Sequence, residues 1–275
     1  MKNQILLSFW LCALVGGWVF QHAECTNNTA GAKTVSRSYP SNTLTKCGQT
    51  VHANNGAIKY KLEKPYDADE LCAFIVRFKN YGNHTFQLDV DGISDSDPNA
   101  ISILDFSHSH HLGPPNVAKT VTVSGWTIIV VFKTQTNSGT GFQLSFKADK
   151  TKGAKLDGAD TVYNMETPFS LQLPFTKEDL YNHYVITSGS KVITHPRKYI
   201  RLMASAVFSN IYPYCRNLVR VYTFENYELR FTADLCDDHD SVVLETKEMF
   251  IVFYHGSTVP RGNISGFLQW QTVTH

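Results

Sequence analysis

Two stretches decide the reading of this chain: WTIIVVFKTQTNSGTGFQLSF, Trp126 to Phe146, and MFIVFYHGSTVPRGNISGFLQW, Met249 to Trp270. Each is a dense apolar run, then a polar, turn-rich loop, then Gly-Phe and an aromatic-ended run. Ile128 to Phe132 and Phe250 to Phe253 are β-branched or aromatic, which suits a strand buried on at least one face. Gly139 and Gly141 in one copy, and Pro260, Gly262 and Gly266 in the other, supply turn geometry. The pattern predicts a strand, a hairpin loop and a return strand twice, at domain-sized spacing.

The remaining sequence agrees with an all-β chain. Cys72 to Phe78, Thr120 to Val123 and Leu218 to Tyr222 are short β-branched or alternating runs divided by turn residues. A length of 275 residues is enough for two modest cores. The formal net charge of +1 gives no field that favours nucleic acid. Lys2 followed by the apolar run Ile5 to Phe20 reads as a secretory signal, residues 1–25. Cleavage after Cys25 fits the small-x-small rule, and cleavage after Ala23 would leave Cys25 as an odd thiol. No second span follows, so a soluble, secreted, extracellular protein with no membrane span is expected. Residues 26–46 are a polar leader.

Four cysteines then remain: Cys47, Cys72, Cys215 and Cys236. Of three possible pairings, joining sequence neighbours is the simplest, since each bond closes a loop within one half. Each would stabilise by roughly 3–4 kcal/mol. Cys47-Gly48, the Asn55-Gly56 turn, the Pro65-Tyr66 turn and then Cys72-x-x-Ile75 resemble the start of a CUB domain. The Val-Val-Phe and Gly-Phe strands resemble its end, and Leu235-Cys236 with Gly266-Phe267 resembles a second copy. The resemblance implies two antiparallel, jelly-roll-like β-sandwiches in tandem. The first would span 47–148 and the second, more divergent, 161–275, with 149–160 as a linker rich in charge, Gly and Ala.

The departures from that family matter. Leu104-Asp105 stands where Leu-Cys is expected, and Tyr184 stands near an expected cysteine, so each half would keep one disulfide. Trp270 falls three residues after Phe267 whereas Phe146 falls four after Phe142, which suggests a bulge or altered register in the second copy. Asp89, Asp91 and Asp97 offer hard oxygen ligands for calcium. The family's calcium positions, however, carry Asn99 and Gln135 in one half and Asn217 and Gly256 in the other. No bound cofactor is therefore expected, with calcium as the exception to test.

His108, His110 and His111 could ligate zinc or copper from a loop, with His108 and His110 pointing the same way if that loop is extended. Asn27, Asn83 and Asn263 head glycosylation sequons, Asn83 in a turn from Lys79 to Thr85. Tyr214, Arg216, Arg220 and Tyr222 form a basic, tyrosine-rich region suited to a binding surface. His-Glu-x-x-His, Gly-x-Ser-x-Gly, a phosphate loop and Cys-x-x-Cys do not occur. The sequence thus predicts a non-catalytic extracellular binder of a protein or glycan. A calcium- or zinc-dependent adhesion module is the alternative, and a secreted hydrolase the more distant one.

Overall fold

The apolar runs do not alternate because their strands are buried on both faces. The computed structural model describes residues 42–106, 108–113, 118–151, 158–164, 170–173, 181–207, 218–236, 240–255 and 265–275. These fall in one compact unit and are all-β. The first half holds β1 (Thr43–Leu44), β2 (Thr50–His52), β3 (Asn55–Pro65), β4 (Leu71–Asp91), β5 (Ile101–Leu104), β6 (Ser109–Leu112), β7 (Thr120–Lys133) and β8 (Thr140–Thr151). The second holds β9 (Asp160–Asn164), β10 (Ser170–Gln172), β11 (Tyr181–Thr187), β12 (Lys198–Val207), β13 (Leu218–Glu225), β14 (Glu228–Leu235), β15 (Asp240–Thr246), β16 (Met249–His255) and β17 (Ser265–Thr274).

The first sandwich is one sheet folded on itself, in the order β1-β3-β8-β4-β7-β5-β6 with β2 on β4. β4 and β7 pair from Leu71↔Lys133 to Arg77↔Thr127, then again from Gly82↔Gly125 to Gln87↔Thr120. The bulge between those runs carries both strands from one layer to the other. Cys72, Phe74, Val76, Phe86, Phe142, Leu144 and Phe146 fill the space between the layers. The second sandwich has two separate sheets, β10-β17-β12-β15 and β14-β13-β16-β11-β9. Ile200, Leu202, Leu268 and Trp270 from one meet Ile186, Val221, Phe250 and Val252 from the other.

A third apolar layer joins the sandwiches. The odd positions of β4, Leu71, Ala73 and Ile75, point away from the first core together with Ile129 and Val131 of β7. They pack on Val185, Phe224, Met249 and Ile251, which point away from the second core. Burying each large side chain there contributes about 1.5–3 kcal/mol. This seam explains runs such as IIVV and FIV, in which one face serves each core.

Several expectations change. The rhyming segments are not paired hairpins: β7 and β8 lie on opposite sides of β4, and β16 and β17 belong to different sheets. β17 pairs with β12 in unbroken register from Ser265↔Val207 to Thr274↔Lys198, so the expected bulge is absent there. Instead Trp270 is the core-facing aromatic and Phe267 is half-buried. Not every pair is antiparallel, because β1/β3, β2/β4 and β9/β11 are parallel. Asn83 sits inside β4 beyond the bulge rather than in a turn, and is exposed. Of the stretch read as a linker, 149–151 belongs to β8 and Asp160 opens β9.

Candidate functional site

Period-2 alternation builds a cleft where the apolar seam runs out. On the seam face of β4, Ile75 is followed by Arg77. On β7, Val131 and Ile129 give way to Thr127. On β11, Val185 is preceded by His183 and Tyr181, and on β13, Phe224 by Tyr222 and Arg220. On β16, Ile251 is followed by Phe253. At one end of the seam, aliphatic side chains are therefore replaced by aromatic and charged ones. They enclose a cavity of about 430 Å3 that the turn between β5 and β6 borders with Asp105, Phe106 and His108.

Its floor is an ion pair between the sandwiches. The Arg77 guanidinium is bidentate on Asp160, Nε to Oδ2 at 2.5 Å and Nη2 to Oδ1 at 2.7 Å, and Nη2 also donates to the Tyr181 carbonyl at 2.7 Å. His183 Nδ1 lies 2.8 Å from Asp160 Oδ1, and His52 Nε2 lies 3.2 Å from Oδ2. The parallel register His183↔Asp160 of β11 and β9 sets that contact. Burial alone would raise the Asp160 carboxyl, but hydrogen bonds from His183, His52 and Arg77 outweigh it and hold the group well below the usual carboxylate range. Burial lowers His183 in spite of its bond to Asp160, so the ring is held neutral and donates to the carboxylate through Nδ1. Gly158 lets the chain pass this close: a Cβ there would stand 1.7 Å from the Tyr181 carbonyl oxygen and 2.9 Å from Arg77 Nη1. Arg77 and Thr127 both border the cavity, and their Nη1 and Oγ1 atoms are buried without a hydrogen-bond partner.

The walls are a chain of rings. Tyr81 meets Trp126 edge-on at 4.7 Å between centroids, and Trp126 stacks on Tyr181 at 6.1 Å. Tyr181 stacks on His255 at 4.5 Å, His183 on Phe253 at 4.8 Å, and Phe106 lies 5.7 Å from Tyr222. Tyr81 is 44% exposed, so part of this aromatic surface is presented to solvent. Arg220 closes one side, fixed by two 2.7 Å bonds to Asp234, which raise it above the usual arginine value, and by the Phe231 ring 5.6 Å away.

The predicted residues are distributed unevenly around this site. Arg220 and Tyr222 line it, whereas Tyr214 and Arg216 lie outside the described residues, as do Asn27, Asn263 and Cys215. Cys47 is bonded to Cys72, and Cys236 is disulfide-bonded. The histidine segment is the strand β6 from Ser109 onward rather than a loop throughout. His108 and His110 come together with Asp105, all three ligand atoms within 4.8 Å. His111 points the other way, to the Ser102 hydroxyl at 3.1 Å.

Asp89, Asp91 and Asp97 do not converge. Asp89 accepts from Ser145 Oγ at 3.2 Å, and Asp91 accepts from Ile93 N in its own turn. The buried Asp97 accepts from Gln135 N at 2.8 Å, Thr136 Oγ1 at 2.5 Å and Tyr66 OH at 3.2 Å. It caps the loop after β7 where a calcium ion would need acceptors. Sequence reasoning missed Arg77, Asp160, His183 and the ring chain. Only Arg77 left a signal, as a cation interrupting an apolar run.

No family model and no curated protein matches the chain. Among solved structures it is similar to the CUB1-EGF-CUB2 domain of human MASP-1/3, with 9% identity, TM-score 0.30, and cover of 80% of this chain and 100% of that one. It is also similar to the CUB1-EGF-CUB2 domains of rat MASP-1, with 9% identity, TM-score 0.32, and cover of 82% and 99%. The full extracellular region of zebrafish Gpr126/Adgrg6 matches at 8% identity and TM-score 0.30, over 86% of this chain and 37% of that one.

Proposed function

We propose that this is a secreted, non-catalytic binding protein of two CUB-like modules, and that the cleft at the end of the seam is where it takes hold of a glycan or protein partner. The observation that carries the reading is the continuous run of rings from Tyr81 through Trp126 and Tyr181 to His255, beside a cavity bordered by Arg77, Asp105 and Arg220. Aromatic faces offer large contact area at little entropic cost, and the fixed polar atoms give orientation. A volume of about 430 Å3 suits one sugar ring or one side chain of a larger partner. The Cys47–Cys72 disulfide is consistent with an oxidising, extracellular setting.

The test begins with unbiased capture of partners by the tagged, glycosylated mature protein. Trp126→Ala with Tyr81→Ala should then weaken the captured interaction by about 30-fold, the equivalent of about 2 kcal/mol for a central aromatic anchor. An unchanged affinity, with an unfolding midpoint like that of the parent, would place the binding surface elsewhere.

A further inference from the structure

The turn between β5 and β6 carries a cluster that the cleft's ring chain does not use. Asp105 follows the last residue of β5, and the register Leu104↔Ser109 and Ile103↔His110 folds β6 back beside it. Asp105 Oδ1 accepts from His108 N at 2.8 Å, which fixes the carboxylate. Its other oxygen faces His110 Nε2 at 3.2 Å. The turn is pinned to the second sandwich, because Ser109 Oγ accepts from Leu229 N at 3.0 Å and Phe106 packs 5.1 Å from the His183 ring. The ligand-bearing side chains therefore stand on a short, anchored hairpin. His108 is exposed, so an ion reaches it from solvent.

We propose that Asp105, His108 and His110 form a three-ligand site for a divalent late transition ion, zinc in the first instance. Two imidazoles and one carboxylate are the donors that zinc takes, whereas calcium requires six to eight oxygens. Zinc bonds of about 2.0–2.2 Å place tetrahedral ligands about 3.3–3.6 Å apart. The 3.2 Å between Asp105 Oδ2 and His110 Nε2 lies just under that edge, and rotation of the exposed His108 ring closes the rest. On binding, zinc takes the place of the hydrogen between Asp105 and His110: a neutral His110 keeps its one proton on Nδ1, and a ring that starts as imidazolium releases one proton to solvent. Asp105 and His108 both border the cleft, so the fourth position opens at its rim. The site stands on these three side chains and does not depend on the cleft being a binding surface.

Calorimetric titration of the tag-free mature protein with zinc alone tests this. The parent should bind one zinc at micromolar concentration. His108→Ala with His110→Ala should lower the affinity at least ~10-fold, as should Asp105→Asn, which keeps the turn's hydrogen bond but not the anionic ligand. His111→Ala should leave it within about twofold, since that ring faces Ser102. Unfolding midpoints without zinc establish that the variants are folded. Absence of binding to the parent at micromolar zinc overturns the proposal, and so does undiminished binding by the double variant or by Asp105→Asn.

Discussion

Two buried ion pairs close the opposite ends of the seam. Each takes its cation from the first sandwich and its anion from the second: Arg77 with Asp160 at one end, Lys133 with Glu248 at 2.6 Å at the other. Both cations lie on the ladder of β4 and β7, opposite Thr127 and Leu71, six residues or about 20 Å apart. Their surroundings differ. At the Lys133 end, the turn between β13 and β14 folds over the pair. Tyr227 places its ring 4.4 Å from Lys133 Nζ, and Asn226 N donates to Glu248 Oε1 at 3.3 Å. At the Arg77 end, rings stand apart around the pair and leave the cavity, which Arg77 borders. The same charge arrangement thus ties the sandwiches together at both ends, and borders an open cavity only where no turn covers it.

The largest test of this contrast is Asp160→Ala. It leaves a guanidinium that is 5% exposed without a countercharge, since Arg77 then keeps the Tyr181 carbonyl and loses both bonds to the carboxylate. Breaking such a pair should cost about 3–5 kcal/mol in urea unfolding. Replacing both partners with leucine should recover most of that loss, because the desolvation penalty disappears with the charges. A loss well under 1 kcal/mol for Asp160→Ala would show that water reaches this end and that the pair does not fix the docking.

Lys133→Met should cost less, about 1.5–3 kcal/mol, the range for a hydrogen bond to a charged group. Methionine keeps the apolar stem packed, Glu248 retains the Asn226 amide, and one charged hydrogen bond is lost where Asp160→Ala removes two. Equal losses from the two substitutions would remove the distinction between a covered and an uncovered pair.

The sequence showed the strands far better than it showed their partners. Dense β-branched runs at Ile128–Phe132 and Phe250–Phe253 mark strands whatever they pair with, so the all-β build was legible. Which strand lies beside which depends on long-range closure, and there the hairpin expectation gave way to β4 standing between β7 and β8. The seam was written as non-alternation, which one sequence cannot tell from a single deep core. Asp160 carried no signal, because an acid in a stretch rich in Gly and charge looks like a solvated linker. Its burial comes from a parallel register with His183, a contact between distant segments. For the histidine cluster the residue types were visible, and Asp105 was noticed only as a missing cysteine. The turn that brings it to His110 was not.

The smallest expected effect concerns acid, and it separates the two ends by the direction of one shift. Burial holds His183 below the ordinary imidazole value against the pull of Asp160. The unfolded chain, with histidine near pKa 6.5, therefore binds more protons than the folded one as pH falls through and below that value. Stability contributed by the neutral ring is complete above about pH 6.5 and declines below it. Asp160 acts in the same sense only in stronger acid, because its folded carboxyl is held below an unfolded value near 3.9. His84, His111 and His255 are lowered by burial too and add to the decline. Among the described residues, those bonded to or stacked on the Lys133–Glu248 pair include Asn226, Tyr227 and Thr246 and no histidine. Urea unfolding of the parent between about pH 7 and pH 5 should show falling stability. His183→Gln should make that slope shallower, whereas Lys133→Met should shift the whole curve down and leave the slope alone. If His183→Gln leaves the slope unchanged, the acid sensitivity lies with the other three rings and the Arg77 end is no more responsive to protons than its counterpart.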